Sequence, residues 1–173
     1  MTATITTATI TTTEVIPAGT WVIDPVHTTI SFQVTDTSDL FSTVNGRFTE
    51  LEGRIEGGEK PSATGSIGVH SLRTDNEQRD AHLISADFLD AANHPEIRFR
   101  SAAVEPLDGE RFTIRGELFV KDTRFEVTLE GRMRGHGQGK AGDERILLDA
   151  RGAFEWGTTT VEITAAVSAA KDA

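Results

Sequence analysis

The sequence predicts an all-β protein: an eight-stranded antiparallel sheet, curled or closed into a barrel, with one short helical insert. Three observations predict it. From residue 20 onward apolar residues recur at every second position. Their partners on the other face are mostly Thr, Arg, Glu, Asp and Lys, so each strand has one wet face. The links between runs are short and carry tight-turn signals, of which Leu107-Asp-Gly109 is the strongest.

The first segment stands apart. Residues 2 to 12 read TATITTATITT, with TATIT at 2 to 6 repeated at 7 to 11. Residues 1–18 are expected as a flexible Thr-rich tail, too polar to bury much; a strand along a sheet edge is the alternative, since Thr and Ile favour extended backbone. The barrel domain is expected over 19–170. No Lys or Arg precedes Arg47 and Thr interrupts every apolar residue, which is not the pattern of a secretory signal, so the expected compartment is cytoplasmic.

The strands then follow in order. Ile30, Phe32 and Val34 alternate with Thr29, Ser31 and Gln33. Residues 42–57 carry Val44, Phe48, Leu51 and Ile55 around Gly46 and Gly53, a long strand with a bend or bulge. Ala63, Gly65, Ile67 and Val69 share one face, and Ile97, Phe99 and Ser101 begin a fourth strand. Phe112 to Val120, Phe125 to Met133, Ile146 to Phe154 and Val161 to Val167 complete the eight. Only residues 75–93 break the rhythm: Asp75 or Asn76 can cap a short helix, and His94-Pro95 ends it. The Gly-rich stretch 134–143 reads as a flexible hairpin loop. Its Gly137-Gln-Gly139-Lys-Ala-Gly142 spells a dinucleotide fingerprint, but Asp143-Glu144 leads into a strand and not the helix that such a site requires.

Composition bounds the function. The 173 residues include no Cys, which removes disulfides, thiolate metal sites and cysteine nucleophiles. Lys plus Arg number 17 against 27 for Asp plus Glu, a net charge of -10, which argues against nucleic acid and anionic membranes as partners. No apolar run approaches the ~20 residues of a membrane helix. The five His, at 27, 70, 82, 94 and 136, form no close pair and no metal motif, so neither metal nor cofactor is expected.

What fills the barrel decides the rest. The inward phase includes Ala63, Gly65, Gly116, Gly131, Ala150, Gly152 and Ala165. In the functional reading these small residues leave an apolar cavity, lined by Phe32, Val34, Phe48, Ile67, Phe99, Ile114, Leu118, Leu129, Leu148 and Ile163, whose guest would be long and apolar. In the structural reading the glycines permit the strong coiling that a small barrel needs.

Several stretches carry a resemblance. Trp21-Val-Ile-Asp24-Pro-Val-His27, Val44-Asn-Gly46-Arg-Phe48, Arg79-Asp80-Ala-His82-Leu83, Asp87-Phe88-Leu89-Asp90 and His94-Pro95-Glu-Ile97-Arg-Phe99 are similar to motifs of the YceI-like family, as is the Lys121-Asp-Thr-Arg124 turn. That family is a lipocalin-like barrel associated with polyisoprenoid lipids, and the resemblance covers residues 20–168. It implies a binding protein without established catalytic residues, holding an isoprenoid or other long-chain lipid inside the barrel. Two departures stand out: Thr35-Asp36 replaces the family's usual Lys-His pair, and Phe154-Glu-Trp-Gly157 runs almost directly into Thr158.

Arg79, Asp80 and His82, with His27, are the candidate mouth or headgroup residues, Arg79 offering a bidentate contact and His82 a hydrogen bond. The structural alternative has Asp80 capping the insert or pairing with Arg79. The expected function is therefore binding or carriage of an amphipathic isoprenoid-type lipid without catalysis. The alternatives are a mouth hydrolase or isomerase using Asp80 and His82, or a ligandless interaction module. Exposed strand edges could also pair two copies into a homodimer.

Overall fold

The computed structural model describes residues 14–36 and 42–172; the expected tail at 1–13 lies outside the described residues, as do 37–41. Strands β1 (Gly19–Ile23) and β2 (Thr29–Asp36) pair with successive parts of the last strand, β11 (Thr159–Lys171), so they act as one strand interrupted at 24–28. The same holds for β3 (Ser42–Phe48) and β4 (Leu51–Gly57), and for β5 (Ser62–Gly68) and β6 (Leu72–Arg73), which a single 3₁₀ turn separates. With β7 (Glu96–Asp108), β8 (Arg111–Val120), β9 (Thr123–Gln138) and β10 (Glu144–Trp156), neighbours in sequence are neighbours in space. Pairing of β1 and β2 with β11 closes the ring into an eight-stranded antiparallel up-and-down barrel. Closure occupies the edges of the first and last strands, the edges a sequence reading would offer to a second copy.

Local chemistry sets the turns. The links Gly109–Glu110, Lys121–Asp122 and Gly157–Thr158 each contain two residues, and the first of each has positive φ, at 46°, 55° and 64°. That sign matches the right-handed twist of the flanking strands. The first half of the expected flexible loop at 134–143 is strand: β9 runs to Gln138, residues 139–143 form the link and β10 starts at Glu144. A bulge at Arg134 shifts the alternation of β9 by one residue: Met133 pairs with inward Leu148, Gly135 with outward Leu147 and His136 with inward Ile146.

The small inward residues have a specific packing role. Phe32 pairs with Gly46, and Phe112 with Gly131, across neighbouring strands. Ideal Cβ atoms on Gly46, Gly116 and Gly131 would stand 2.3, 2.6 and 2.2 Å from the rings of Phe32, Phe99 and Phe112. Each ring therefore lies flat on the wall where a side chain is missing, the pairing that stabilises glycine within curved sheets.

Two packed clusters close off much of the interior. The lower one, at the end of the β7–β8 and β9–β10 hairpins, gathers Trp21, Ile55, Phe112, Ile114, Ile146 and Leu148 with Ile16. Trp21 is fully buried and its Nε1 donates to the Pro17 carbonyl at 2.8 Å. Gly57 makes room for that crossing, since a Cβ there would stand 1.8 Å from the Pro17 oxygen. Ile16, only 3% exposed, thus belongs to the core and corrects the expectation that the tail extends to residue 18; an apolar Val15-Ile16-Pro17 step has surface to bury that the Thr-rich repeat lacks. The upper cluster joins Phe48, Val69, Leu72, Ala91, Ile97 and Val120, with Leu83, Ile84 and Leu89 of the insert packed upon it.

The insert's one helix, α1 (Glu77–Leu83), is short and caps as expected: the Asn76 side chain accepts from Arg79 N. It covers one side of the upper end and leaves the other open.

Candidate functional site

All ten residues expected to line a cavity lie on the inward phase of their strands. They divide into two groups. Phe48, Ile114 and Leu148 are buried inside the packed clusters. Phe32, Val34, Ile67, Phe99, Leu118, Leu129 and Ile163 are half-buried, so solvent reaches them. Phe99 lines one depression of the outer wall and Leu129 and Ile163 line another; Phe32, Val34, Ile67 and Leu118 carry the half-buried inward surface toward the upper end.

There the strand ends add residues that sequence reasoning left out of the site. Val44, Phe154 and Val161 are half-buried inward positions, and Val34 pairs with both Val44 and Val161. Phe125 packs on Phe154 at 4.8 Å between ring centroids and on Trp156 at 5.7 Å, while Phe32 meets Phe48 at 5.4 Å. Continued alternation along β9, β10 and β11 was the available signal, since Phe125, Phe154 and Val161 keep the inward phase to the hairpin ends. From Phe32 round to Ile163, the upper inward positions among the described residues carry no ionisable side chain until Asp36 at the rim. Asp36 accepts from Thr158 Oγ1 at 3.3 Å. This mouth offers apolar contact below and a polar edge above, the arrangement that suits an amphipathic guest.

Two depressions lie elsewhere. One, of about 930 Å³, is lined largely by outward residues of β1, β4, β5 and β7, among them Arg54, Thr64, Ser66 and Arg98, and reaches the wall at Gly53 and Gly65. The other, of about 660 Å³, surrounds Gly152 and includes outward Thr128, Arg151, Glu162 and Thr164. Both dent the outer wall where a strand carries glycine, which is what tight coiling of the sheet produces.

The candidate headgroup residues do not form one cluster. Thr74, at 5% exposure, is the hub for two of them: its backbone N and Oγ1 donate to Asp80 Oδ1 at 2.9 and 2.5 Å. Arg79 Nε donates to Thr74 Oγ1 at 2.8 Å and its Nη2 to the Thr74 carbonyl at 2.6 Å. Both residues therefore fasten α1 to the chain leaving β6, through Thr74. His82 is exposed, 3.9 Å from Asp87 and edge-on to Phe88 at 4.9 Å between ring centroids. The Asp80 carboxylate and the His82 imidazole thus serve different contacts.

His27 belongs to another constellation, on the 24–28 link. Its Nδ1 lies 2.8 Å from Asp24 Oδ2, which also accepts from Arg145. The hydrogen bond with His27, then those from Arg145 and the Val26 amide, hold the Asp24 carboxyl down at about 2. At the lower end His136 and Lys171 contact Glu144 at 2.7 and 3.2 Å, and the His136 bond is the main cause holding the Glu144 carboxyl below its ordinary value. His136 and Lys171 also cover Trp21, with ring or cation distances of 5.7 and 5.8 Å. These polar contacts lie across the lower end of the barrel.

A closed eight-stranded barrel with this mouth is one half of the comparison with known proteins; the motif run is the other. A family model described as the YceI-like domain matches residues 21–169. The chain belongs to the YceI-like family. Protein YceI of Escherichia coli O157:H7 is 32% identical over 130 residues, covering 73% of this chain and 66% of that protein. The match thus spans just under two thirds of its curated relative's length. Among solved YceI-like folds, Burkholderia cenocepacia BcnA superposes with a TM-score of 0.71 at 17% identity, over 84% of this chain and 98% of that one. A polyisoprenoid binding domain from Saccharophagus degradans, implicated in plant cell wall breakdown, gives 0.64 at 13% identity, over 90% of this chain and all of that one. At such identities the likeness is one of fold.

Proposed function

We propose that this YceI-like barrel binds an amphipathic isoprenoid-type lipid, tail first through the upper mouth, and carries it without transforming it. The observation that supports the reading best is the uncharged inward surface, among the described residues, from Val34, Phe154 and Val161 down to Phe32 and Leu118. A hydrocarbon chain entering there leaves water for aromatic and branched aliphatic contacts, worth about 0.8 kcal/mol per buried CH₂. Family membership and the polyisoprenoid-binding relative of the same fold support the ligand class.

The experiment is a fluorescence titration with prenyl alcohols of increasing length. Affinity should climb with each isoprene unit and level off once the lumen is full. An affinity independent of chain length would overturn the reading, because a surface contact with the hydroxyl alone would behave so.

A further inference from the structure

We infer that the upper rim docks on the surface of a zwitterionic phospholipid bilayer, with Phe88 and Trp156 as its anchors. Resting on the reading of the mouth as a lipid's entrance, the inference adds where that lipid comes from. Among the described residues, six large apolar side chains are exposed. Four are aliphatic (Val22, Val26, Leu107 and Leu147) and lie on the outer wall or at the lower hairpins. The two aromatic ones, Phe88 at 47% exposure and Trp156 at 37%, both stand at the upper rim.

Their placement is built. Lys121, in the β8–β9 turn, donates from Nζ to the Phe88 carbonyl at 2.9 Å, which ties the end of the insert to that hairpin. The His82 ring supports Phe88 from the side. On the far flank of the same hairpin Phe125 supports Trp156. One hairpin thus holds an anchor on each of its own flanks, at the rim of the mouth. An indole or phenyl group with one wet edge favours the headgroup level of a membrane.

Charge selects the kind of surface. Asp87 and Asp122 at this rim are 81% and 95% exposed at the side chain, and Glu155 is exposed beside Trp156. Lys121, in the same turn as Asp122, is turned onto a carbonyl, and the His82 and His94 imidazoles stand 3.9 Å from Asp87 and Asp122. An anionic leaflet would be repelled; a net-neutral one would not.

Tryptophan emission of the full chain reports the event directly, because Trp21 is fully buried and only Trp156 can meet lipid. Phosphatidylcholine vesicles should shift the emission to the blue, and brominated phosphatidylcholine should quench it. Phe88→Ser, checked for an unchanged circular dichroism spectrum, should need about tenfold more lipid for half of the shift. Phosphatidylserine vesicles should shift it less. Unchanged emission, equal partition of Phe88→Ser and parent, or stronger binding to phosphatidylserine would each overturn the inference. A parallel titration with a short prenyl alcohol added from ethanol separates the two ideas. Uptake without docking sinks the membrane surface alone, whereas docking without uptake sinks the carrier reading and leaves the rim's membrane contact standing.

Discussion

The Phe112 ring lies directly on Gly131. The two residues face each other across β8 and β9, the ring is fully buried, and a Cβ on the glycine would stand 2.2 Å from it. Gly131→Ala should therefore push the ring off its seat in the lower cluster and destabilise the protein by about 1–3 kcal/mol in urea unfolding. Gly135→Ala on the same strand, where the nearest atom is 3.8 Å away, should change stability little. Equal effects would mean that the ring–glycine contact contributes nothing.

The lumen can be filled from within. Leu118 and Ile163 are half-buried at inward positions of β8 and β11, outside the packed lower cluster. Leu118→Trp with Ile163→Trp should reduce uptake of a long prenyl alcohol at least about tenfold while thermal unfolding stays cooperative. Unimpaired uptake by a folded double variant would place the ligand outside the barrel.

Asp80 separates two roles. Its carboxylate accepts two hydrogen bonds from nearly buried Thr74, so Asp80→Ala should cost about 1–3 kcal/mol and speed hydrogen exchange in α1. Prenyl phosphate and prenyl alcohol should keep their relative affinities in this variant. A selective change for the phosphate would return Asp80 and its neighbour Arg79 to the headgroup site.

Acid sensitivity follows from Asp24. Its folded-state value of about 2 lies below the roughly 3.9 of an unfolded aspartate. The ionised group therefore stabilises the fold above the unfolded value, and that contribution is lost as pH falls from about 4 toward 2. Tm should drop more steeply over this window in the parent than in Asp24→Asn. Parallel curves would show that His27 and Arg145 do not stabilise the carboxylate.

Much of this was legible from period two alone. Alternation from Ile30 to Val34 and from Phe112 to Val120 places every inward residue correctly, and the bend near Gly46 to Gly53 is the break between β3 and β4. Less visible was whatever depends on partners far away in sequence. Nothing local tells that Ile16 enters the core through Gly57, or that Phe rings occupy the glycine notches. The Arg79-Asp80-Ala-His82 run marks the family, yet its two most conspicuous charges turn inward to Thr74. A charged motif reads the same in sequence whether it grips a ligand or its own backbone.

The central claim is that the barrel holds a lipid chain, and native mass spectrometry of protein purified gently from its own host tests it most directly. The account predicts a population heavier than the polypeptide by the mass of one isoprenoid-type lipid, released on collisional activation and missing from the Leu118→Trp, Ile163→Trp variant. A bare polypeptide mass, unchanged after incubation with a long prenyl alcohol, would contradict it.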